Sequence, residues 1–330
     1  MKSAITLSLF LILAAAAEAS SLDIAYKGNG LSFGNSKRFT GVRLNVIDDG
    51  VEQIDGVTCS LWNPGKNPDA VYNGLTLGLI GTQSREINGF AFSGIGVSAR
   101  DHIRGIATGA LGVGAREMTG IAAGLIMVDV KERFRGINLS GGWTLSGEQM
   151  DGIMGSFGIA MAKQVRGVAS AGLFAGGEKS LKGLAIAGGG VYSSKLRGIA
   201  LGGLAAVSDD GKGIFATLGG IGGERLDGLL LAGLGLGASE RIRGVAIGGL
   251  LAFAPEVKGV MFGAMNGLYI DRIDLEDFLH FKLANESFTG LQMGLVNYSA
   301  NLKGVQIGLI NYVGNNPRGL RLLPLINAHF

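Results

Sequence analysis

Residues 183–202, GLAIAGGGVYSSKLRGIALG, hold one full repeat of the chain and the start of the next. Gly183 is followed by an apolar residue, Leu184, and Gly198 by Ile199. A second glycine, Gly188 or Gly202, closes each short apolar stretch. A polar segment, SSKLR, leads back to the next repeat glycine. Outward from here the same glycine recurs at 41, 56, 74, 89, 105, 120, 136, 152, 167, 213, 228, 244 and 259, then at 290, 304 and 319. Steps are 14 to 16 residues, apart from one of 18 and one of 31, the latter equal to two repeats.

The residue after each of these 18 glycines is apolar, and two residues before them 16 of 18 are apolar, Gly211 and Pro317 being the exceptions. A second glycine follows within four to six residues in 15 of 18 repeats. Apolar stretches of four to five residues suit short strands and are too short for independent helices. Several glycines per repeat, each costing about 1 kcal/mol against alanine in a helix, point the same way. At corners those glycines reach positive φ without a Cβ clash.

The composition agrees. Glycine is 59 of 330 residues, whereas a usual share is about 7%. A hydrophobic fraction of 47% is too high for a disordered chain. Five prolines and no Gly-x-y triplet exclude collagen, and one cysteine excludes a disulfide scaffold. A net charge of +3 gives no sign of a nucleic-acid partner.

Two all-β folds use such a repeat. One is a β-solenoid of about 18 coils of 15–16 residues, with like residues stacked about 4.8 Å apart. The other is an up-and-down outer-membrane β-barrel, one strand and turn per repeat. The uniform polar segments (AREMT, KERFR, EKSLK, SSKLR, SERIR, PEVK), the lack of a polar lumen face and the absence of aromatic girdles favour the solenoid. Phe330, ending the apolar LRLLPLINAHF, and the even repeat count favour the barrel.

Residues 1–19 have a secretory layout: Lys2, an apolar run from Ile5 to Ala17, and Ala17-Glu18-Ala19 as the cleavage site. No later segment is long and apolar enough for a transmembrane helix. Export to the cell surface, outer membrane or periplasm is expected. Residues 20–40 read as an entry strand and cap, and 41–330 as a single repeat domain. Residues 61–72, LWNPGKNPDAVY, lengthen one corner and are expected to project. Residues 267–289 lose the repeat glycine and read either as two degenerate coils or as a short helix through Leu275, Phe278, Leu279 and Leu283, capped by Asp274.

GLQMGLVNYSANLKGVQIGLINYVGNNPRG (290–319), followed by LLPLINAHF, resembles the uncharacterised bacterial surface-repeat proteins first described in spirochaetes, whose repeat reads Gly-apolar-Gln-apolar-Gly-apolar-apolar-Asn. Gly290, Gln292, Gly294 and Asn297 match it, as do Gly304, Gln306, Gly308 and Asn311. The opening GVRLNVIDDGVEQIDGV resembles that family's first repeats. The middle, 89–263, keeps the rhythm but has Ala or Ser where the family has Gln and Asn. The resemblance implies an exported or surface location and brings no catalytic residues.

Chemistry-bearing motifs are sparse. His102, His280 and His329 lack metal-ligand partners at i+2 to i+4. Cys59, in VTCSLW, reads as a buried apolar cysteine. GGEKS at 176–180 only echoes a phosphate loop. Asn138, Asn285 and Asn297 sit in glycosylation sequons. No catalytic residue, metal site or cofactor is expected. The residue before the repeat glycine is basic in 10 of 18 repeats: Arg104, Arg135, Arg166, Lys182, Arg197, Lys212, Arg243, Lys258, Lys303 and Arg318. Stacked, these would form a strip able to contact envelope glycans, lipid headgroups or another surface protein. Glu117, Glu132, Glu224, Glu240 and Glu256 lie close enough to neutralise much of it. The expectation is a non-enzymatic exported repeat protein, an interaction scaffold of the cell envelope, with a membrane barrel as the alternative.

Overall fold

A computed structural model describes residues 21–26, 29–62, 67–272 and 280–330. The export signal therefore lies outside the described residues, as does most of the expected helix at 273–279. The fold is a β-solenoid of about 18 turns, and the barrel is excluded. Two compact units, divided between Ala162 and Lys163, make up the chain.

In the first unit the strands are β1 (Leu22–Tyr26), β2 (Asn29–Phe33), β3 (Arg38–Ile47), β4 (Gln53–Trp62), β5 (Val71–Gly78), β6 (Gly81–Ser93), β7 (Gly96–Gly109), β8 (Gly112–Gly124), β9 (Met127–Ser140) and β10 (Trp143–Ser156). The division falls within β11 (Ile159–Ala171). The second unit continues with β12 (Phe174–Ala187), β13 (Gly190–Gly202), β14 (Ala205–Thr217), β15 (Gly220–Ala232), β16 (Gly235–Gly248), β17 (Leu251–Phe253), β18 (Glu256–Phe262) and β19 (Met265–Asn266). It ends with β20 (Leu268–Arg272), β21 (His280–Leu283), β22 (Ser287–Met293), β23 (Val296–Ser299), β24 (Asn301–Val313) and β25 (Leu322–His329).

Successive repeats pair in parallel, glycine on glycine. Gly41, Gly56, Gly74, Gly89, Gly105, Gly120, Gly136 and Gly152 form one ladder. Gly183, Gly198, Gly213, Gly228, Gly244, Gly259, Gly290 and Gly304 form the other. An up-and-down barrel needs each neighbour reversed, so this register rules it out. The ladder glycines have positive φ, 135° at Gly213 for example. A Cβ on Gly213 would also drive into the carbonyl oxygen of Gly198. Backbone strain alone there costs a side chain about 1–3 kcal/mol. The second glycines behave differently. Gly188 has no positive φ but lies too close to the Gly172 carbonyl to carry a Cβ.

Three details of the repeat change. Gly30 of β2 pairs with Gly41, so the ladder begins before the expected repeat domain. Gly319 lies in a 3₁₀ turn, Arg318–Leu320, and takes no place in the ladder. The 31-residue step is one coil, because Gly259 pairs directly with Gly290. The extra length holds an antiparallel hairpin of β20 and β21, not two degenerate coils. Leu283, counted in the helical spacing, ends β21.

The chain reverses at both extremes. β1 runs antiparallel to β2, and β25 antiparallel to β24. Leu322–His329 thus form a closing strand of the solenoid. In the loop expected to project, Asn67 and Ala70 are instead buried. Asn67 accepts from the Val51 amide at 2.8 Å and donates to the Asp48 carbonyl at 3.0 Å.

Three rows stand out in the core: two that flank the repeat glycine, and one through Val97, Val113 and Val128 in the first unit and Val191, Ala206, Ile221 and Leu236 in the second. Two residues before the glycine lie Ile87, Ile103, Met118 and Phe134 in the first unit, and Leu181, Leu196, Leu226 and Ile242 in the second, all buried. Two residues after it the commonest occupant is alanine, as at Ala107 and Ala200. The exception Gly211 is explained by size exchange. Phe215, two residues after Gly213, fills the space, and a Cβ on Gly211 would meet its ring at 2.6 Å.

Candidate interaction surface

Alternation places residues one before, one after and three after the repeat glycine on the outside. The basic residues occupy the first of these rows. In the second unit Lys182, Arg197, Lys212, Asp227, Arg243, Lys258, Thr289 and Lys303 stack in register. Arg166 of β11 precedes Gly167, over which Gly183 stacks closely. In the first unit the same row reads Thr40, Asp55, Asn73, Asn88, Arg104, Thr119, Arg135 and Asp151. Arg318 stands apart, in the 3₁₀ turn.

Half of the ten basic residues carry acidic partners. Arg135 lies 3.8 Å from Asp151, Arg197 2.6 Å from Asp210 and Lys212 3.8 Å from Asp227. Glu256 is shared by Lys258 at 2.9 Å and Arg243 at 3.6 Å. The Arg197 hydrogen bond holds the Asp210 carboxyl below its usual range, and the Lys258 bond does the same for Glu256. These pairs offset part of the positive charge along the row.

The next two outward rows have a different character. One residue after the glycine, strand pairing aligns Ile24, Leu31, Val42, Val57, Leu75, Phe90, Ile106, Ile121, Ile137 and Ile153 in the first unit. The second unit aligns Leu184, Ile199, Ile214, Leu229, Val245, Val260, Leu291, Val305 and Ala328. The row three after the glycine adds Phe33, Leu44, Phe92 and Leu139, then Ile186, Leu201, Ile247 and Ile307, all exposed. Neither row contains a charge, and both continue onto the closing strands β1 and β25, which lie outside the repeat.

Apolarity extends into the bends five and six residues after the glycine. Leu125 is 74% exposed and Phe157 83% in the first unit; Leu204 is 72% and Leu218 81% in the second. A groove of about 680 Å³ runs along the first unit's bends, lined by Thr108, Ala123, Gly124, Leu125, Leu139 and Phe157. The second unit has its counterpart, about 460 Å³, between Leu201, Ala216, Leu218, Leu231 and Ile247. Charge is segregated to the opposite end of the strand. Between residues 81 and 263 every Asp, Glu, Lys and Arg except Asp129 lies within the five residues before a repeat glycine.

One polar depression, about 460 Å³, lies in the first unit between Gln83, Ser98, Arg100, Arg116, Asp129 and Lys131. Its arginines already face acids: Arg100 Asp69 at 3.5 Å and Arg116 Glu132 at 2.7 Å. Compared with protein families, with curated proteins and with solved structures, the chain matches none. The reading of the surface therefore rests on its own chemistry.

The remaining motifs fall into structural places. Cys59 is exposed, not buried, because three residues after Gly56 the side chain points outward. His102 faces Glu117 at 3.4 Å, and His329 Nδ1 meets Asn316 Oδ1 at 2.7 Å. Asn138, Asn285 and Asn297 are fully buried, so the sequons are closed to modification in the folded chain. GGEKS lies within strand β12 and not in a loop. Among the described residues no group of three His, Cys, Asp or Glu could hold a metal ion, and no helix is long and apolar enough to cross a membrane.

Two buried polar clusters escaped sequence reading. Arg43 and Asp48, both buried, pair at 2.8 Å. Asp48 also accepts from Ser60 Oγ at 2.8 Å, Tyr72 OH at 3.1 Å and Asn45 Nδ2 at 2.7 Å. Arg43 donates to Thr58 at 3.2 Å. In the last coils Asn266 Nδ2 donates to Asn297 Oδ1 at 2.8 Å, and Asn297 Nδ2 to Asn311 Oδ1 at 2.7 Å. Gln306 donates to Gln292 at 2.8 Å, and Tyr298 stacks on Tyr312 with ring centres 5.4 Å apart. The Gln and Asn positions of the repeat motif are thus interior ladder residues.

Proposed function

We propose that this chain is a non-enzymatic exported repeat protein that serves as an interaction scaffold of the cell envelope. The observation that carries the reading is the uncharged outward face of the strand following the repeat glycine. Parallel sheets are normally covered on both faces, whereas here one cover is the core and the other is open. Exposed apolar patches beyond a few hundred Å² mark interaction surfaces. The secretory layout of residues 1–19 supports the location, and the lack of a reactive cluster among the described residues supports a contact role. The basic row is a weaker candidate for contact with envelope glycans, lipid headgroups or another surface protein, since half its members are ion-paired.

Fractionation of the native cell tests the proposal. The chain should be recovered with the envelope and begin at Ser20. Recovery from the cytoplasm with residues 1–19 intact would overturn it, as would an activity abolished by replacing one His, Asp or Glu.

A further inference from the structure

We infer that the partner of the apolar face is the acyl region of a lipid bilayer, into which the bends of each unit insert while that unit's charged corners stay in water. This rests on the envelope reading above and names the partner of the same surface. The argument begins with the direction of polarity around one coil. Charges occupy the residues before the repeat glycine. The following strand, about 13 Å for four residues, is apolar on its outer face. The bend at its far end carries the most exposed side chains of the repeat, Leu125, Phe157, Leu204 and Leu218. Each coil is therefore amphipathic from end to end, like an interfacial helix, whose apolar side sinks about 5–10 Å into the boundary between headgroups and acyl chains. That depth takes in the bend and the row three after the glycine.

The shape of the patch separates this occupant from a second copy of the chain. A flat partner sheet would cover the two outward rows and leave the bends bare, whereas here the bends are the most apolar projection. A fluid phase covers both. Ladder regularity adds to the case, because the bend positions are filled by apolar or small residues in coil after coil without specific polar anchors. The closing strands keep the same outward apolar residues, Ile24 and Ile326 among them, so the surface ends without a charged rim. Half of the row's cations are ion-paired, which weakens attraction to anionic headgroups relative to the apolar term.

Vesicle flotation with the chain as recovered from the envelope after export tests this. Vesicles of neutral phosphatidylcholine should carry the protein upward, and flotation should survive 1 M salt, where the Debye length is about 3 Å. L125D, F157D, L204D and L218D should each weaken vesicle binding about tenfold, the burial of one large apolar side chain. These bends are exposed, so the folded far-ultraviolet spectrum should be unchanged in each variant. R104Q, K182Q and K303Q should bind as the parent does. Three results would overturn the inference: no flotation; flotation only with phosphatidylglycerol and lost in salt; or bend variants that instead dissolve a dimer of the free protein. Any of these in a chain still exported to the envelope leaves the scaffold reading standing and removes only the lipid partner.

Discussion

The last coils and the middle of the first unit bury the same kind of side chain with opposite results. In the last coils, Asn266, Asn297 and Asn311 form a chain in which each amide donates to the next. In the first unit Asn138 is buried among the rungs Ala122 and Met154, and neither its amide nitrogen nor its oxygen has a hydrogen-bond partner. A primary amide carries a donor and an acceptor on the same plane, so identical amides one rung apart can bond in series, with an end atom such as Asn266 Oδ1 left over. A single amide cannot. The repeat therefore rewards copies of a polar residue and penalises a lone one. The first coils solve the same problem differently, with the Arg43–Asp48 pair enclosed by hydroxyls and amides.

Four experiments would break or sharpen that contrast. Asp48→Ala should have the largest effect, about 3–5 kcal/mol of stability lost in denaturant titration, since it strands a buried guanidinium. Asn297→Ala interrupts the amide chain and should cost about 2 kcal/mol, removing one of Asn266's three acceptors and leaving Asn311 Oδ1 without the Asn297 donor. Asn138→Ala should go the other way, a gain of about 1 kcal/mol from removing an unsatisfied amide. A loss there would mean that Asn138 has a partner hidden in the native state. The smallest effect belongs to the exposed corner. Arg197→Ala should cost at most about 1 kcal/mol. Asp210 has a folded pKa below its ordinary 3.8, so the pair's contribution is present above that value and fades as pH falls below it. In Arg197→Ala that acid-side loss should shrink.

Much of the architecture can be read from the residues alone, because a glycine forced by backbone geometry leaves a period in the chain. Gly213 and its neighbours cannot be replaced without strain, and the row behind them must be apolar. The uniform polar segments distinguish parallel coils from antiparallel hairpins. Glycine counting fails where it meets arithmetic coincidence. The step from Gly259 to Gly290 equals two repeats in length but is one coil with a hairpin. Gly319 has the right spacing but no strand beneath it, whereas Gly30 has the strand and lies outside the period's expected start.

The surface was harder to see for a physical reason. Where one face of a strand is wet, alternation identifies the inside. In Gly-Ile-Ala-Leu (198–201) both faces are apolar, so Ala200 inward and Ile199 outward are distinguished only by the coil's closure. At Cys59 alternation points the wrong way, because the polar Thr58 and Ser60 are buried while Cys59 and Leu61 are exposed. Arg43 and Asp48, five residues apart in an unremarkable stretch, become a buried pair only when the chain turns between them.

The reversed strands at the two extremes settle how far such a fold can grow. An open parallel rung is a template for the first rung of another molecule, and the result would be an endless head-to-tail filament. β1 and β25 present the opposite chain polarity, and Pro324 removes one amide donor from the terminal edge. The parallel register of the ladder therefore does not continue past β1 or β25.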